Sequence, residues 1–382
     1  MIRVLIVDDS VVFRKILKEA LEKQPGITVV GTAVNGRDAI AKMKQLRPDL
    51  AVLDVEMPEM TGLETLDAMR RHGLKVGAIM FSTLTDKGAD TTLEALQKGA
   101  FDFVPKPTGT GAFTESVRRI QEELIPKIKA YAQNRNGFVA RGARSLRTPV
   151  KAPAARQGAK PVRVGPSPVH GRRPAAGTRR APIAPIAMKL APEAVAIGVS
   201  TGGPNALNEV IPTFPANFRL PIFLVQHMPP VFTTQLAARL DQRSRLKVVE
   251  ASDGQEVRGG TVYLAPGDYH MVVAVRDRKK FIKLTKDPPE NSCRPAVDVL
   301  FRSVARVYGP RVIAVVMTGM GQDGFKGAEL LKKKGARIIA QDKETSVVWG
   351  MPRFVTDAGL ADRVCPLDKI TATILELSGH RF

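Results

Sequence analysis

Two sets of residues in this sequence have the types and spacing of reacting groups. The first centres on Ser200, in Gly198-Val199-Ser200-Thr201-Gly202-Gly203, between an apolar strand pattern and a helix pattern. The G-x-S-x-G spacing matches the elbow that presents a serine nucleophile. Glycines at such a turn can instead cradle a phosphate on backbone N–H groups, and a serine there can simply cap the helix. A Walker-type cradle needs a Lys before its Ser or Thr, and residues 198–204 contain none. A dinucleotide fingerprint would place glycine where Ser200 stands.

A serine nucleophile needs a base, and the base needs an orienting acid. His227 ends the strand pattern "PIFLVQH" that follows the Ser200 unit, so both side chains are expected at one sheet edge. His270, in "APGDYHM", is the alternative base; His380 is expected to fray near the end of the sequence. Asp323 follows the long apolar run "RVIAVVMTGMGQ" and precedes glycine. It can orient a histidine or cap the helix after it. The chain order Ser, His, Asp differs from that of α/β-hydrolases, so a different fold with convergent chemistry is expected.

The second set is acidic. Asp8-Asp9, Asp54, Ser82 and the stretch from Phe103 to Lys106 each end or continue an apolar strand pattern. In a doubly wound sheet such ends gather at one edge. Crowded carboxylates repel, and a hard cation such as Mg²⁺ relieves that cost. An Asp held beside it could attack a phosphoryl group.

The elements that must position these residues follow from periodicity. Over residues 1 to about 133, short buried-looking strands alternate five times with amphipathic helices, which predicts a parallel sheet covered on both faces. Residues 134–190 lack sustained periodicity and are rich in Ala, Pro, Gly and Arg, which predicts a flexible linker. From 191 to 382 a second α/β unit is expected, with an antiparallel excursion between Thr261 and Thr285.

Of the formal net charge of +21, most sits in one stretch: Leu124 to Pro192 carries fifteen Lys and Arg and no Asp or Glu. That stretch has neither interleaved aromatics nor a recognition helix, so nucleic-acid binding is a weak expectation. Two distant cysteines, Cys293 and Cys365, exclude a disulfide framework and point to a reducing cytoplasm. No apolar run is long enough to span a bilayer.

Residues 1 to about 133 resemble a response-regulator receiver domain of flavodoxin-like type, through "VLIVDDS", "LDVEMPEMTGLE", "IMFSTLT" and "GAFDFVPKP". The resemblance implies Asp54 as phosphoacceptor. It implies Mg²⁺ held by Asp9, Asp54 and the backbone carbonyl of Glu56, with Asp8 outside them. Ser82 and Phe103 would be the switch residues, and Lys106 the partner of the phosphoryl group. The second unit resembles the catalytic domain of the chemotaxis protein-glutamate methylesterase family (CheB), through "GVSTGGPNAL", "VQHMPPVFT", "YLAPGDYHM", "RPAVDVLF", "MTGMGQDGFKGAELLKKKG" and "VVWGMP". That resemblance implies Ser200 as nucleophile, His227 as base and Asp323 as orienter. Backbone N–H groups near Thr201 and Met320 would form an oxyanion hole, with no cofactor for the ester chemistry. The implied partners are methyl-accepting chemoreceptor cytoplasmic helices as substrate and a phosphodonor histidine kinase. The implied activities are methyl-ester hydrolysis and glutamine deamidation. The linker is longer and more basic than the family's short connection.

Overall fold

The computed structural model describes residues 1–107, 113–144 and 190–380. The first unit runs β1 (Ile2–Val7), α1 (Val11–Glu22), β2 (Ile27–Ala33), α2 (Gly36–Leu46), β3 (Leu50–Asp54), α3 (Gly62–Arg71), β4 (Gly77–Ser82), α4 (Asp86–Gln97), β5 (Asp102–Pro105) and α5 (Phe113–Arg144). Its parallel sheet has the order β2-β1-β3-β4-β5. Every residue of β3 and β4 is buried, as expected of strands covered on both faces. Capping side chains restart the chain soon after three of these strands. Ser10 accepts from Phe13 N–H, Asn35 from Asp38 N–H, and Thr85 from Gly88 N–H. Thr61 and Glu64 form a reciprocal capping box that opens α3.

The second unit adds β6 (Ala194–Val199), α6 (Gly203–Val210), β7 (Ile222–Gln226), α7 (Pro230–Arg243), β8 (Lys247–Glu250), β9 (Thr261–Leu264), β10 (His270–Arg276), β11 (Lys279–Thr285), α8 (Val297–Tyr308), β12 (Val312–Val316), α9 (Phe325–Lys333), β13 (Arg337–Gln341), α10 (Met351–Asp357), β14 (Arg363–Cys365) and α11 (Ile370–Ser378). Seven strands form a parallel sheet ordered β14-β13-β12-β6-β7-β9-β8. The direction of winding reverses between β12 and β6, where ligand crevices of open α/β sheets form.

Two expectations change. Only β10 and β11 pair antiparallel, and β9, which opens the stretch read as an excursion, belongs to the parallel sheet. The edge strands β8 and β14 are too short to give a periodic signal. Helix α5 continues to Arg144, eleven residues into the stretch read as linker. That part contains no proline to stop the helix. The rest of the predicted linker, up to residue 189, lies outside the described residues.

The two units are docked through α4, β5 and α5 of the first. Phe103 stacks on Phe232 of α7, with ring centroids 4.3 Å apart. Arg239 of α7 donates to Asp90 at both its carboxylate and its backbone oxygen, each 2.8 Å away. Asn205 of α6 donates to Leu96 O at 2.8 Å. Val348 is buried in a cluster otherwise made of first-unit residues. The polar contacts lie at the rim and the ring stack is buried, so the rim can be weakened without emptying a core. The double variant Asn205→Ala, Arg239→Ala is expected to raise the radius of gyration in small-angle scattering. Its circular dichroism should stay that of the wild type.

Candidate active site and phosphoacceptor pocket

Ser200 follows the last residue of β6, the strand between β12 and β7. The turn is tight because Ser200 O accepts from Gly203 N–H at 2.7 Å. Gly202 holds φ +77°, and a side chain there would strike Val347. The loop after β12 presses against the serine: a Cβ on Gly319 would lie 2.8 Å from Ser200 Cβ. Ser200 N–H donates to Thr318 O across that contact. The N–H groups of Thr201 and Met320 meet no acceptor among the described residues. Two free donors flanking a serine are the elements of an oxyanion hole.

His227 follows β7, directly beside β6. Its Nε2 donates to Asp323 Oδ2 at 2.8 Å. Asp323 is buried, and its carboxylate also accepts from Val297, Asp298 and Gly324 N–H and from Asn291 Nδ2. Val297 and Asp298 are the first residues of α8, so Asp323 caps that helix rather than α9, whose N-cap is Gly324. Burial pushes the Asp323 carboxyl up, but His227 and these N–H donors outweigh it and hold the group below the usual range. Burial opposes a charged His227, yet the adjacent Cys293 sulfur and Asp323 carboxylate raise its pKa well above the ordinary value.

His270, the alternative base, is fully buried. It accepts from Ala296 N–H at Nδ1 and faces Pro288 O at Nε2, so both nitrogens serve the packing of β10 against α8. His380 lies beside Phe218, away from the serine. Sequence reasoning missed Asn291, Cys293 and Asp298. Asn291 Nδ2 reaches both Asp298 and Asp323, and Cys293 Sγ lies 3.5 Å from His227 Nδ1. Only Asp298 carried a signal, as the acid in "RPAVDVLF".

In the first unit, Asp8, Asp9 and Asp54 offer carboxylate oxygens that lie within 4.8 Å of one another. Lys106 Nζ sits between Asp8 and Asp54, at 2.9 and 2.8 Å. Burial, followed by the charge of Asp8, raises Asp54 to about 6. Burial also raises Asp8. Hard oxygen donors short of positive charge fit Mg²⁺. Glu56 follows in the loop, its N–H 3.4 Å from Asp54 Oδ1 and its side chain directed to Lys87. Ser82 Oγ donates to Gly88 O at 3.2 Å, so this hydroxyl contacts α4 in this arrangement.

The docked unit reaches the serine loop directly. Thr201 Oγ1 donates to Asp102 Oδ2 at 2.8 Å, and both residues are buried. A groove of about 780 Å³ opens beside Met320, between α5 and the Trp349–Phe354 wall.

Comparison with known proteins follows the same division. Residues 4–118 match the response regulator receiver domain and residues 195–374 the CheB methylesterase domain. A Nocardioides sp. relative called protein-glutamate methylesterase/protein-glutamine glutaminase is 48% identical, covering 98% of this chain and 94% of its own length. A relative of the same description from Trichodesmium erythraeum is 43% identical, covering 99% of each. The crystal structure of the Thermotoga maritima CheB methylesterase catalytic domain is 49% identical with a TM-score of 0.48, covering 49% of this chain and all of that one.

The raised His227 pKa has a stability consequence. A group whose native pKa exceeds its unfolded value stabilises fully below the unfolded value, about 6.5, and loses that contribution as pH rises through the native value. The stability deficit of His227→Gln, measured by urea unfolding, should therefore be largest below about pH 6.5 and shrink as pH rises through the native value. In the first unit, Mg²⁺ should raise the melting temperature of wild type but not that of Asp9→Asn.

Proposed function

We propose, for a chain that belongs to the CheB protein-glutamate methylesterase family, that it hydrolyses glutamate γ-methyl esters on chemoreceptor helices and deamidates glutamine side chains there. The observation that carries this reading is the strand-end placement of Ser200 beside the His227–Asp323 pair, under two free backbone donors.

Ser200 Oγ attacks the ester carbonyl while His227, in its neutral form, takes the proton through Nδ1, the ring nitrogen not bound to Asp323. Because the His227 pKa is raised, that form becomes more abundant as pH rises. Asp323 fixes the ring and stabilises the imidazolium. The N–H groups of Thr201 and Met320 stabilise the tetrahedral oxyanion. His227 then protonates departing methanol, and water cleaves the glutamyl ester on Ser200. A glutamine side chain follows the same course, with ammonia leaving.

Control lies in the receiver domain. Asp54 is the phosphoacceptor, and Asp8, Asp9 and Asp54, with the Glu56 carbonyl, are the groups that would hold Mg²⁺. When bound, the ion neutralises charge on the transferring phosphoryl group. Lys106 would pair with the phosphoryl oxygens. In the docked arrangement Asp102 holds Thr201, and Phe103 is stacked on Phe232. Phosphorylation, felt through Ser82 and Phe103, would shift the population toward an undocked form in which the serine loop is free. The phosphodonor is a histidine kinase. No helix among the described residues is long and apolar enough to cross a membrane, which accords with action in the cytoplasm on receptor cytoplasmic segments.

Methanol release from a methylated receptor fragment tests the reading. Ser200→Ala should lower kcat by about 10³-fold or more while leaving Asp54 phosphorylation intact. Asp54→Ala should keep basal release and lose the increase that a phosphodonor produces. Retained methanol release in Ser200→Ala would remove the assignment of the nucleophile.

A further inference from the structure

The base has one nitrogen to spare, and it is engaged elsewhere. His227 Nε2 is committed to Asp323, which leaves Nδ1 to receive the Ser200 proton. Cys293 Sγ stands 3.5 Å from that Nδ1. Ser200 Oγ has no hydrogen-bond partner among the described residues. Whichever of sulfur and nitrogen carries the proton, the contact takes up the lone pair or the N–H that the serine would use.

The turn that delivers Cys293 is built around the His227–Asp323 pair. Glu290 and Cys293 exchange backbone hydrogen bonds at 3.1 and 2.9 Å. Between them Asn291 and Ser292 both lie in the left-handed region, at φ 53° and 61°. Non-glycine residues occupy that region at a cost, and two in succession need external support. The support is visible. Arg302 of α8 pairs with Glu290 at 2.8 Å, and Asn291 donates to Asp298 and to Asp323 Oδ1. One strained turn thus contacts both members of the pair, Asp323 through Asn291 and His227 through Cys293.

We propose that Cys293 is a positioning residue that parks the His227 ring, holding Nδ1 away from Ser200 while the receiver is docked. Activation then includes exchange of the Nδ1 partner from sulfur to the serine hydroxyl. No covalent bond changes in that exchange. A thiol is a weak hydrogen-bond partner, which makes the parked state easy to leave. The inference rests on Ser200 being the nucleophile.

The test uses the unphosphorylated full chain and methanol release from a methylated receptor fragment. Cys293→Ala should raise kcat by about threefold, the effect of deleting one weak contact, with KM unchanged. Cys293→Ser keeps a hydroxyl that can occupy Nδ1, a stronger partner than the thiol, and should show none of that gain. With a phosphodonor, the gain in Cys293→Ala should vanish, because the activated form has already left the parked state. An unchanged or lower basal kcat in Cys293→Ala would overturn the proposal. Loss of a structural support lowers activity and cannot produce the expected gain. Ser200→Ala run in parallel separates the two readings. If Ser200→Ala is inactive and Cys293→Ala shows no gain, only the parking role fails. If Ser200→Ala stays active, the nucleophile assignment fails as well.

Discussion

Asp323 is a buried carboxylate that stays ionised because five donors reach it: His227, Asn291 and the N–H groups of Val297, Asp298 and Gly324. A buried charge without such partners would be neutralised or would cost several kcal/mol. Two of the donors open α8, where the helix dipole favours negative charge. The same group therefore starts a helix, ties the β12 loop to the β11–α8 connection and fixes the His227 ring. Disturbing it for any one of these purposes disturbs the others.

The parallel sheet then decides what this anchor can reach. Parallel strands release their loops at one edge, and the reversal of winding between β12 and β6 opens that edge into a crevice. β6 lies between β7 and β12, so the serine emerges with the histidine loop on one side and the aspartate loop on the other. The receiver repeats the arrangement with different residues. There the strand ends gather like charges, and burial, followed by the charge of Asp8, raises the pKa of Asp54. One sheet edge is arranged for proton transfer and the other for cation and phosphoryl chemistry.

Much of this could be read from the chain because strand ends are local signals. An apolar run followed by Ser200, His227 or Asp54 identifies a residue at a sheet edge without knowledge of its neighbours. The role of Asp323 at α8 could not be read that way, because the helix it caps begins 26 residues earlier in the chain. Cys293 and Asn291 were equally hidden: they sit in an irregular turn with no period, and their meaning appears only when the turn folds back onto His227. The length of α5 was misjudged for a related reason. Its last eleven residues carry no amphipathic period by which the sequence could mark the continuation to Arg144.

The contact between Asp102 and Thr201 sets a limit on modularity. The two domains look like separable parts, each with its own sheet and its own chemistry. Yet the residue next to the nucleophile completes its hydrogen bonding with a side chain from the other domain. A receiver borrowed from another regulator would bring its own phosphorylation chemistry intact and still lack this contact to the serine loop. It would need an acceptor placed at the start of its fifth strand and an aromatic ring to meet Phe232. The fit between the two domains thus depends on one threonine hydroxyl and one ring face.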